Sequence, residues 1–382
     1  MSSPLLAPLS AAYGAAVAAR TALYRRGWLR SARAGVPVIS VGNLAAGGTG
    51  KTPLVALVAR ILRDAGMSPA IVSRGYGGRR REDPLVVSEG RGPNPGVTAA
   101  QAGDEPVMLA RCLGDVMIVV ARKRAEGARL AAERLGARCI VLDDGFQHLA
   151  LQRDLDLVLL DAEDPLDDGR LLPSGLLREG PEALARADAL IFTGSHGPDA
   201  GRRSIPGRLA GMADTDSGPL ERWTRPGTAS FHATMEPTLV VSARDVDPAV
   251  RSGPESLTSA WLAGMRVVAF AGIARPLRLV EDLRRLGAEV VSFLSHPDHH
   301  VFTRSDVEEI LERVRRLEPE VLLTTEKDVA RLKGSPLGDR LIEEGLVALR
   351  VEPIFAATEM AAFSDLILSA ARGERREGGG AP

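Results

Sequence analysis

The run from Pro37 to Ile61, PVISVGNLAAGGTGKTPLVALVARI, constrains this chain more than any other stretch. It opens with a short β-branched run, Val38-Ile39-Ser40-Val41, that reads as a buried parallel strand. It passes through Ala45-Ala46-Gly47-Gly48-Thr49-Gly50-Lys51-Thr52 and continues with Leu54, Leu57, Val58 and Ile61 at helical spacing. Strand, glycine-rich turn, Gly-Lys-Thr and helix form the context that a phosphate-binding P-loop requires. Glycines let backbone N–H groups curl around phosphate oxygens, and the helix N-terminus adds its positive end. In that arrangement Lys51 reaches the outer phosphates and Thr52 offers its hydroxyl to Mg²⁺. The loop opens with Ala45 where the strict pattern has glycine. A glycine turn that binds nothing is the plainer reading, but the flanking strand and helix weigh against it. The chain also holds only four lysines against forty-four arginines, so a lysine at this position is informative.

A length of 382 residues suggests two domains, each with room for a core. A formal net charge of −1 gives no overall positive field of the kind a general nucleic-acid binder uses. Aromatic residues are sparse, so no stacking platform for single strands is evident. Cys112 and Cys139 both lie in apolar runs and read as buried thiols in a reducing compartment, without zinc spacing.

Before the P-loop, Leu6, Leu9, Tyr13, Val17, Tyr24 and Trp28 share one helical face. Arg26, Arg30 and Arg33 take the other side, and Arg20 must snorkel from the apolar face. The apolar part is too short and too alanine-rich for a membrane span. Its charges follow rather than precede the apolar stretch, unlike a signal peptide. An amphipathic helix flanked by aromatics and arginines suits a membrane interface; packing on the chain's own core is the alternative.

After the P-loop, strands are predicted at 68–73, 117–121, 139–144, 156–161 and 189–192, alternating with helices. This implies a doubly wound parallel sheet with ligands at the carboxyl ends of its strands. Several clusters fall at such ends. Ser73-Arg74-Gly75-Tyr76-Gly77-Gly78 is either backbone near a ligand or a flexible turn. Gly103-Asp104-Glu105-Pro106 is either a helix cap or a carboxylate near the phosphates, as base or on the metal. Arg122, Lys123 and Arg124 open a helix, and one of them can neutralise a transferring phosphoryl group. Cys139–Asp144 has Walker-B character, with an acid facing the metal held by Thr52, and continues into Gly145-Phe146-Gln147-His148. Asp161, ending the next strand, competes with Asp143 for that role.

Residues 195–236 lose periodicity and read as a linker or surface loop, and 82–101 as loop. Strands at 239–242, 266–272, 289–293 and 320–325, with helices near 275–286 and 304–316, predict a second, smaller α/β domain. Its Ser295–His300 loop holds three of the six histidines. These read either as partners for a catalytic carboxylate or as a satisfied polar loop. Thr324-Thr325-Glu326-Lys327-Asp328 is not a guanine-reading motif, so nothing favours GTP over ATP. The expected division is 1–34 as the interface helix, 35–225 as the P-loop domain, 226–371 as the smaller α/β domain and 372–382 as a disordered tail.

Taken in order, VGNLAAGGTGKTP (41–53), SRGYGG (73–78), GDEP (103–106), LDDGFQH (142–148), LLPSGLLRE (171–179), FAGIARP (270–276), PDHH (297–300) and LLTTEKD (322–328) resemble the tetraacyldisaccharide 4′-kinase family of lipid A biosynthesis. Gly180 stands where the family usually has proline. The resemblance implies a peripheral enzyme on the cytoplasmic face of the bacterial inner membrane. It would move the γ-phosphoryl of ATP to the 4′-hydroxyl of an acylated glucosamine disaccharide 1-phosphate, with no protein partner implied. By the family's pattern Asp104 takes the hydroxyl proton with His299 as its partner, while Lys51, Arg178 and Arg124 stabilise the γ-phosphoryl. The loop 45–52 holds the nucleotide, and Gln147 and His148 lie in the nucleotide or substrate cleft. Thr52, Asp143, Asp144, Glu105 and Glu179 hold or orient Mg²⁺. With Asp104 and His299 on separate domains, closure would be coupled to catalysis.

A membrane-recruited P-loop ATPase switch is the competing class. Such switches usually carry a second lysine early in the loop, where this chain has Ala45 and Ala46.

Overall fold

The computed structural model describes residues 6–48, 50–94, 96–194, 220–244 and 256–374. Thr49 of the P-loop, most of the expected 195–236 linker and most of the expected tail therefore lie outside the described residues. The chain forms two α/β units. One comprises Met1–Val72, Lys123–Met235 and Pro353–Pro382, and the other Ser73–Arg122 and Glu236–Glu352. This grouping is not the linear one that composition suggests. Residues 73–122 go with the second half of the chain, and the C-terminal helix Ala357–Ala371 goes with the first.

In the first unit the strand Val38–Asn43 is buried along its whole length, as a run of β-branched residues between two neighbours must be. It pairs in parallel with Cys139–Asp143 on one side and Leu155–Asp161 on the other. Pro69–Ser73 extends the sheet beyond Cys139–Asp143, and Ala189–Gly194 and then Ala229–Ser242 extend it beyond Leu155–Asp161, all in parallel. The first strand is thus central, and the turn after it opens at the carboxyl edge of the sheet, where a doubly wound fold gathers its ligands. Register fixes the acids there as well, because Val41 is the partner of Asp143. Gly42 is required by packing. A Cβ at this position would sit 2.6 Å from the Cβ of Phe146, a fully buried side chain of the core that also holds Leu44, Val158, Leu177 and Leu190.

The N-terminal helix spans Ala7–Arg25. It is tied to the loop around residue 175: Ser10 and Ser174 share a hydroxyl hydrogen bond of 2.7 Å, and the Tyr13 hydroxyl donates to the Arg178 carbonyl at 2.9 Å. Arg20 reaches back to donate to the Gln147 carbonyl and lies over the Tyr24 ring. The expected apolar face is only partly covered, since Leu9 is 58% and Trp28 72% exposed. No helix among the described residues is long and apolar enough to cross a membrane.

In the second unit Arg266–Ala271 pairs in parallel with Glu289–Ser295 and with Val321–Thr325, which in turn pairs with Val347–Phe355. Apolar side chains cover both faces, Phe270 and Ile310 on one and Leu262 and Leu283 on the other. An antiparallel pair of Leu85–Glu89 and Met117–Val120 belongs to this unit, so the stretch read as loop over 82–101 contains a strand. Ala229–Ser242 likewise begins inside the expected linker. Val86, Val87 and the alternating run Phe231, Ala233, Met235 carry these strands. Their signal is masked by the Pro- and Gly-rich residues around them.

The helix Arg304–Leu317 begins with a capping box in which Thr303 and Asp306 bond reciprocally. Burial works against the Asp306 charge. The Thr303 N–H and hydroxyl, with His300, outweigh it and bring the carboxyl down to about 2. The folded value lies below the ordinary one, so the cap stabilises fully above about pH 4 and weakens as pH falls toward the folded value. Urea unfolding of the wild type and Asp306→Asn across this range is expected to show a stability gap that narrows as the pH is lowered. A constant gap would mean that the charge contributes nothing.

Candidate active site

Three features build the nucleotide-binding edge of the first unit. The turn after Val38–Asn43 contains Gly47 and Gly50 at φ 136° and 85°, left-handed conformations that favour glycine. Gly50 is the residue from which the helix Lys51–Asp64 starts. A Cβ on Gly47 or Gly48 would meet nothing within 4 Å, so this part of the turn is an open cradle, whereas one on Gly50 would meet the Met235 side chain. Ala45 and Ala46 are used differently. Ala45 bridges to Leu177, and Ala46 donates its N–H to the Leu176 carbonyl at 2.7 Å. The alanines therefore hold the neighbouring loop, and the open part of the turn is at Gly47 and Gly48.

That backbone pairing, completed by the Arg178 N–H donating to the Leu44 carbonyl at 2.8 Å, carries Arg178 to the P-loop. Its guanidinium contacts both oxygens of Asp144 at 2.8 Å. Lys51 donates to the Asn43 side chain at 3.0 Å and stands 3.9 Å from Asp144. Burial raises the Asp144 carboxyl, but Lys51 and Arg178, with Arg124 behind them, pull it below its usual range. The site thus concentrates three cations around one carboxylate. Asp144 adopts a positive φ of 53°, the turn that separates it from Asp143 at the strand end. Arg124 is buried in the first turn of the helix Arg124–Arg134.

Asp143 and Thr52 are both buried beside this edge, 3% and 4% exposed. Carboxylate and hydroxyl oxygens are the hard donors that Mg²⁺ takes, so this pair fits the metal. Glu179 and Glu105 are committed elsewhere. Glu179 pairs with Arg186 at 2.8 Å, and Arg186 lies over the Phe146 ring. Glu105 pairs with Lys327 in the second unit. Gln147 donates to the Asn43 carbonyl at 3.0 Å, while its own side-chain oxygen is buried with no partner among the described residues.

The second unit holds the other cluster. The helix Asp104–Cys112 presents Asp104 in its first turn, 6% exposed. His299 Nδ1 lies 3.1 Å from Asp104 Oδ2, and Arg331 pairs with the same oxygen. Burial raises the Asp104 carboxyl; Arg331, followed by His299 and Lys327, outweighs it and leaves the carboxyl below its usual range. His299 has a positive φ of 58° and lies 5.5 Å from the Tyr76 ring. His300 turns away to bond Asp306 at 2.9 Å and stack on His296. Asp104 and His299 thus meet inside one unit, and not between two as the linear division implied. Sequence reasoning assigned no role to Asn43, Lys327 or Arg331. The last two stand four apart after a strand end, a spacing that puts both on one helical face.

The model of the LpxK family, described as tetraacyldisaccharide-1-P 4′-kinase, matches residues 2–371. A curated tetraacyldisaccharide 4′-kinase of Anaeromyxobacter dehalogenans (strain 2CP-C) is 44% identical over 342 residues, covering 89% of this chain and 84% of its own. One from Anaeromyxobacter sp. (strain K) is 42% identical over 371 residues, covering 97% and 91%. The fold matches a crystal structure described as the "apo" form of LpxK from Aquifex aeolicus in complex with ATP. The TM-score is 0.70 and the identity 31%, with 96% of this chain and 98% of the other covered. A match over nearly the whole chain, carrying an open P-loop cradle and a buried Asp–His pair, places this chain in the tetraacyldisaccharide 4′-kinase family.

Proposed function

We propose that this ATP-dependent kinase phosphorylates the 4′-hydroxyl of a tetraacyldisaccharide 1-phosphate with Asp104 as the base, and that it works on a membrane surface. Family membership carries the reaction and sets aside the ATPase-switch alternative. The Asp104–His299 contact carries the assignment of the base. Phosphoryl transfer asks a protein for position and for charge compensation more than for covalent chemistry. Asp104 stays ionised through its cationic neighbours and so can accept the hydroxyl proton, and His299 holds the carboxylate and shares its charge. Lys51, Arg178 and Arg124 compensate charge on the γ-phosphoryl oxygens. Asp144 keeps the first two in place before the nucleotide arrives. Backbone N–H groups of the P-loop bind phosphate oxygens, and Gln147 is tied to Asn43 at the end of the preceding strand. Thr52 and Asp143 would hold Mg²⁺, which when bound offsets phosphate charge.

The membrane reading rests on the N-terminal helix. Leu9 and Trp28 stay exposed, with Leu176 of the adjoining loop also 46% exposed, and Arg25, Arg26 and Arg30 flank Trp28 in sequence. An acylated substrate leaves a bilayer at a cost of about 0.8 kcal/mol for each methylene, so a kinase lying on the interface avoids that cost. Leu9→Glu with Trp28→Ala is expected to weaken sedimentation with anionic phospholipid vesicles about tenfold or more, from the loss of two exposed apolar side chains that the bilayer would cover. Undiminished sedimentation would place the surface elsewhere.

The reaction is tested by following label from the γ-position of ATP into tetraacyldisaccharide 1-phosphate in detergent micelles. Labelled lipid is the expected result. ATP hydrolysis that ignores the lipid would overturn the reading.

A further inference from the structure

The helix Glu326–Leu332 follows directly on the strand Val321–Thr325 and carries Lys327 and Arg331 one turn apart. They meet two consecutive acids, Lys327 on Glu105 and Arg331 on Asp104. All three nitrogens of the Arg331 guanidinium are used. Nε, at 2.9 Å, and Nη2 donate to Asp104 Oδ2, while Nη1 donates to the Gly272 carbonyl at 2.6 Å and to Asp328 Oδ1 at 2.8 Å. Asp328 is fully buried and is itself fixed. The Thr324 and Thr325 hydroxyls donate to it at 3.2 and 2.6 Å, and the Gly272 N–H at 3.2 Å. The result is a rigid line from Asp328 through Arg331 to Asp104, with only 9% of the arginine side chain exposed.

The two oxygens of Asp104 are therefore unequal. Oδ2 takes both arginine N–H groups and faces His299 Nδ1. Among the described residues Oδ1 takes only the N–H of Glu105, at 3.1 Å. A carboxylate oxygen accepts about two hydrogen bonds comfortably, so the capacity left over is on Oδ1.

We propose that Arg331 is a positioning residue for the phosphoryl transfer, anchoring Oδ2 of Asp104 so that Oδ1 receives the proton of the acceptor hydroxyl. The inference rests on Asp104 being the base. In the step, the hydroxyl oxygen bonds to the γ-phosphorus as the bond from that phosphorus to the β,γ-bridging oxygen breaks. The hydroxyl proton passes to Oδ1, and ADP leaves with the electron pair of the broken bond. Arg331 stays protonated throughout. A lysine in its place keeps the charge but cannot span Asp104, Asp328 and the Gly272 carbonyl at once.

The test measures kcat and the KM for ATP in the full chain, with tetraacyldisaccharide 1-phosphate in mixed micelles. Arg331→Ala is expected to lose about 100-fold in kcat, the scale of a misplaced catalytic group, with the KM for ATP unchanged. Arg331→Lys should fall between it and the wild type. Guanidinium added below denaturing concentration should restore turnover to Arg331→Ala and not to Asp104→Asn. The double variant Asp104→Asn/Arg331→Ala should be no slower than Asp104→Asn, because the arginine acts through the carboxylate. Wild-type kcat in Arg331→Ala, or losses that add fully in the double variant, would overturn the proposal. If Arg331→Ala does not fold, Arg331→Lys decides, and an unchanged kcat there overturns it. A wild-type chain that puts no label into lipid would instead overturn the kinase reading itself.

Discussion

Asp104→Asn is expected to lower phosphoryl transfer about 100- to 10,000-fold, the range that a positioned base contributes. The asparagine keeps the shape and one accepting oxygen, so the contacts to Arg331 and His299 survive in part, but it cannot take a proton. Asp104→Ala is a harsher change. It strips one of two carboxylate partners from an arginine whose side chain is 9% exposed, leaving Asp328 as the other, and a buried guanidinium that loses a partner destabilises the fold. Thermal unfolding beside the label-transfer assay separates the two effects. Asparagine should lose turnover and hold its melting temperature, while alanine should lose both. A folded Asp104→Asn enzyme with wild-type turnover would remove the residue from the chemistry.

Lys51→Ala is expected to lower kcat about 100- to 1,000-fold, as the loss of one preorganised charge on the reacting group does. The lysine also belongs to a standing arrangement. It donates to Asn43 and helps hold Asp144 below its ordinary range. Its removal therefore weakens the setting of Arg178 too, so the loss should exceed that of Lys51→Arg, which keeps the charge. Turnover with saturating ATP measures it. Equal loss in the alanine and arginine variants would point to the shape of the lysine and away from its charge.

The P-loop was legible because strand, turn and helix are adjacent in the chain and each carries its own pattern. Most of the parallel strands were legible for the same reason, as short apolar runs at regular intervals, but Val347–Phe355 and the first half of Ala229–Ser242 were not. Long-range placement was not. Nothing local tells residues 73–122 to join the later half of the chain, and the Arg331 and Lys327 contacts to the acids span more than 200 residues. Asp104 could equally have been a helix cap on sequence alone; its burial against a guanidinium and an imidazole is information that only tertiary structure supplies. His299 and His300 are neighbours with the same chemistry, and a positive φ at His299 sends them to different acids. The resemblance implies that Glu179 holds or orients Mg²⁺, and nothing local signals that Arg186, seven residues on, folds back upon it.

The C-terminal helix Ala357–Ala371 belongs with the P-loop unit and packs on the helix Lys51–Asp64. During synthesis, the ribosome therefore delivers the cradle early and the piece that covers its helix last. The central strand, the loop and the first half of the sheet must wait through some 300 residues of translation. A stop codon a few turns before residue 357 would spare every residue assigned to chemistry and still leave the apolar flank of the nucleotide helix bare. Such truncated chains are marked for proteolysis by what they expose, whatever catalytic groups they retain.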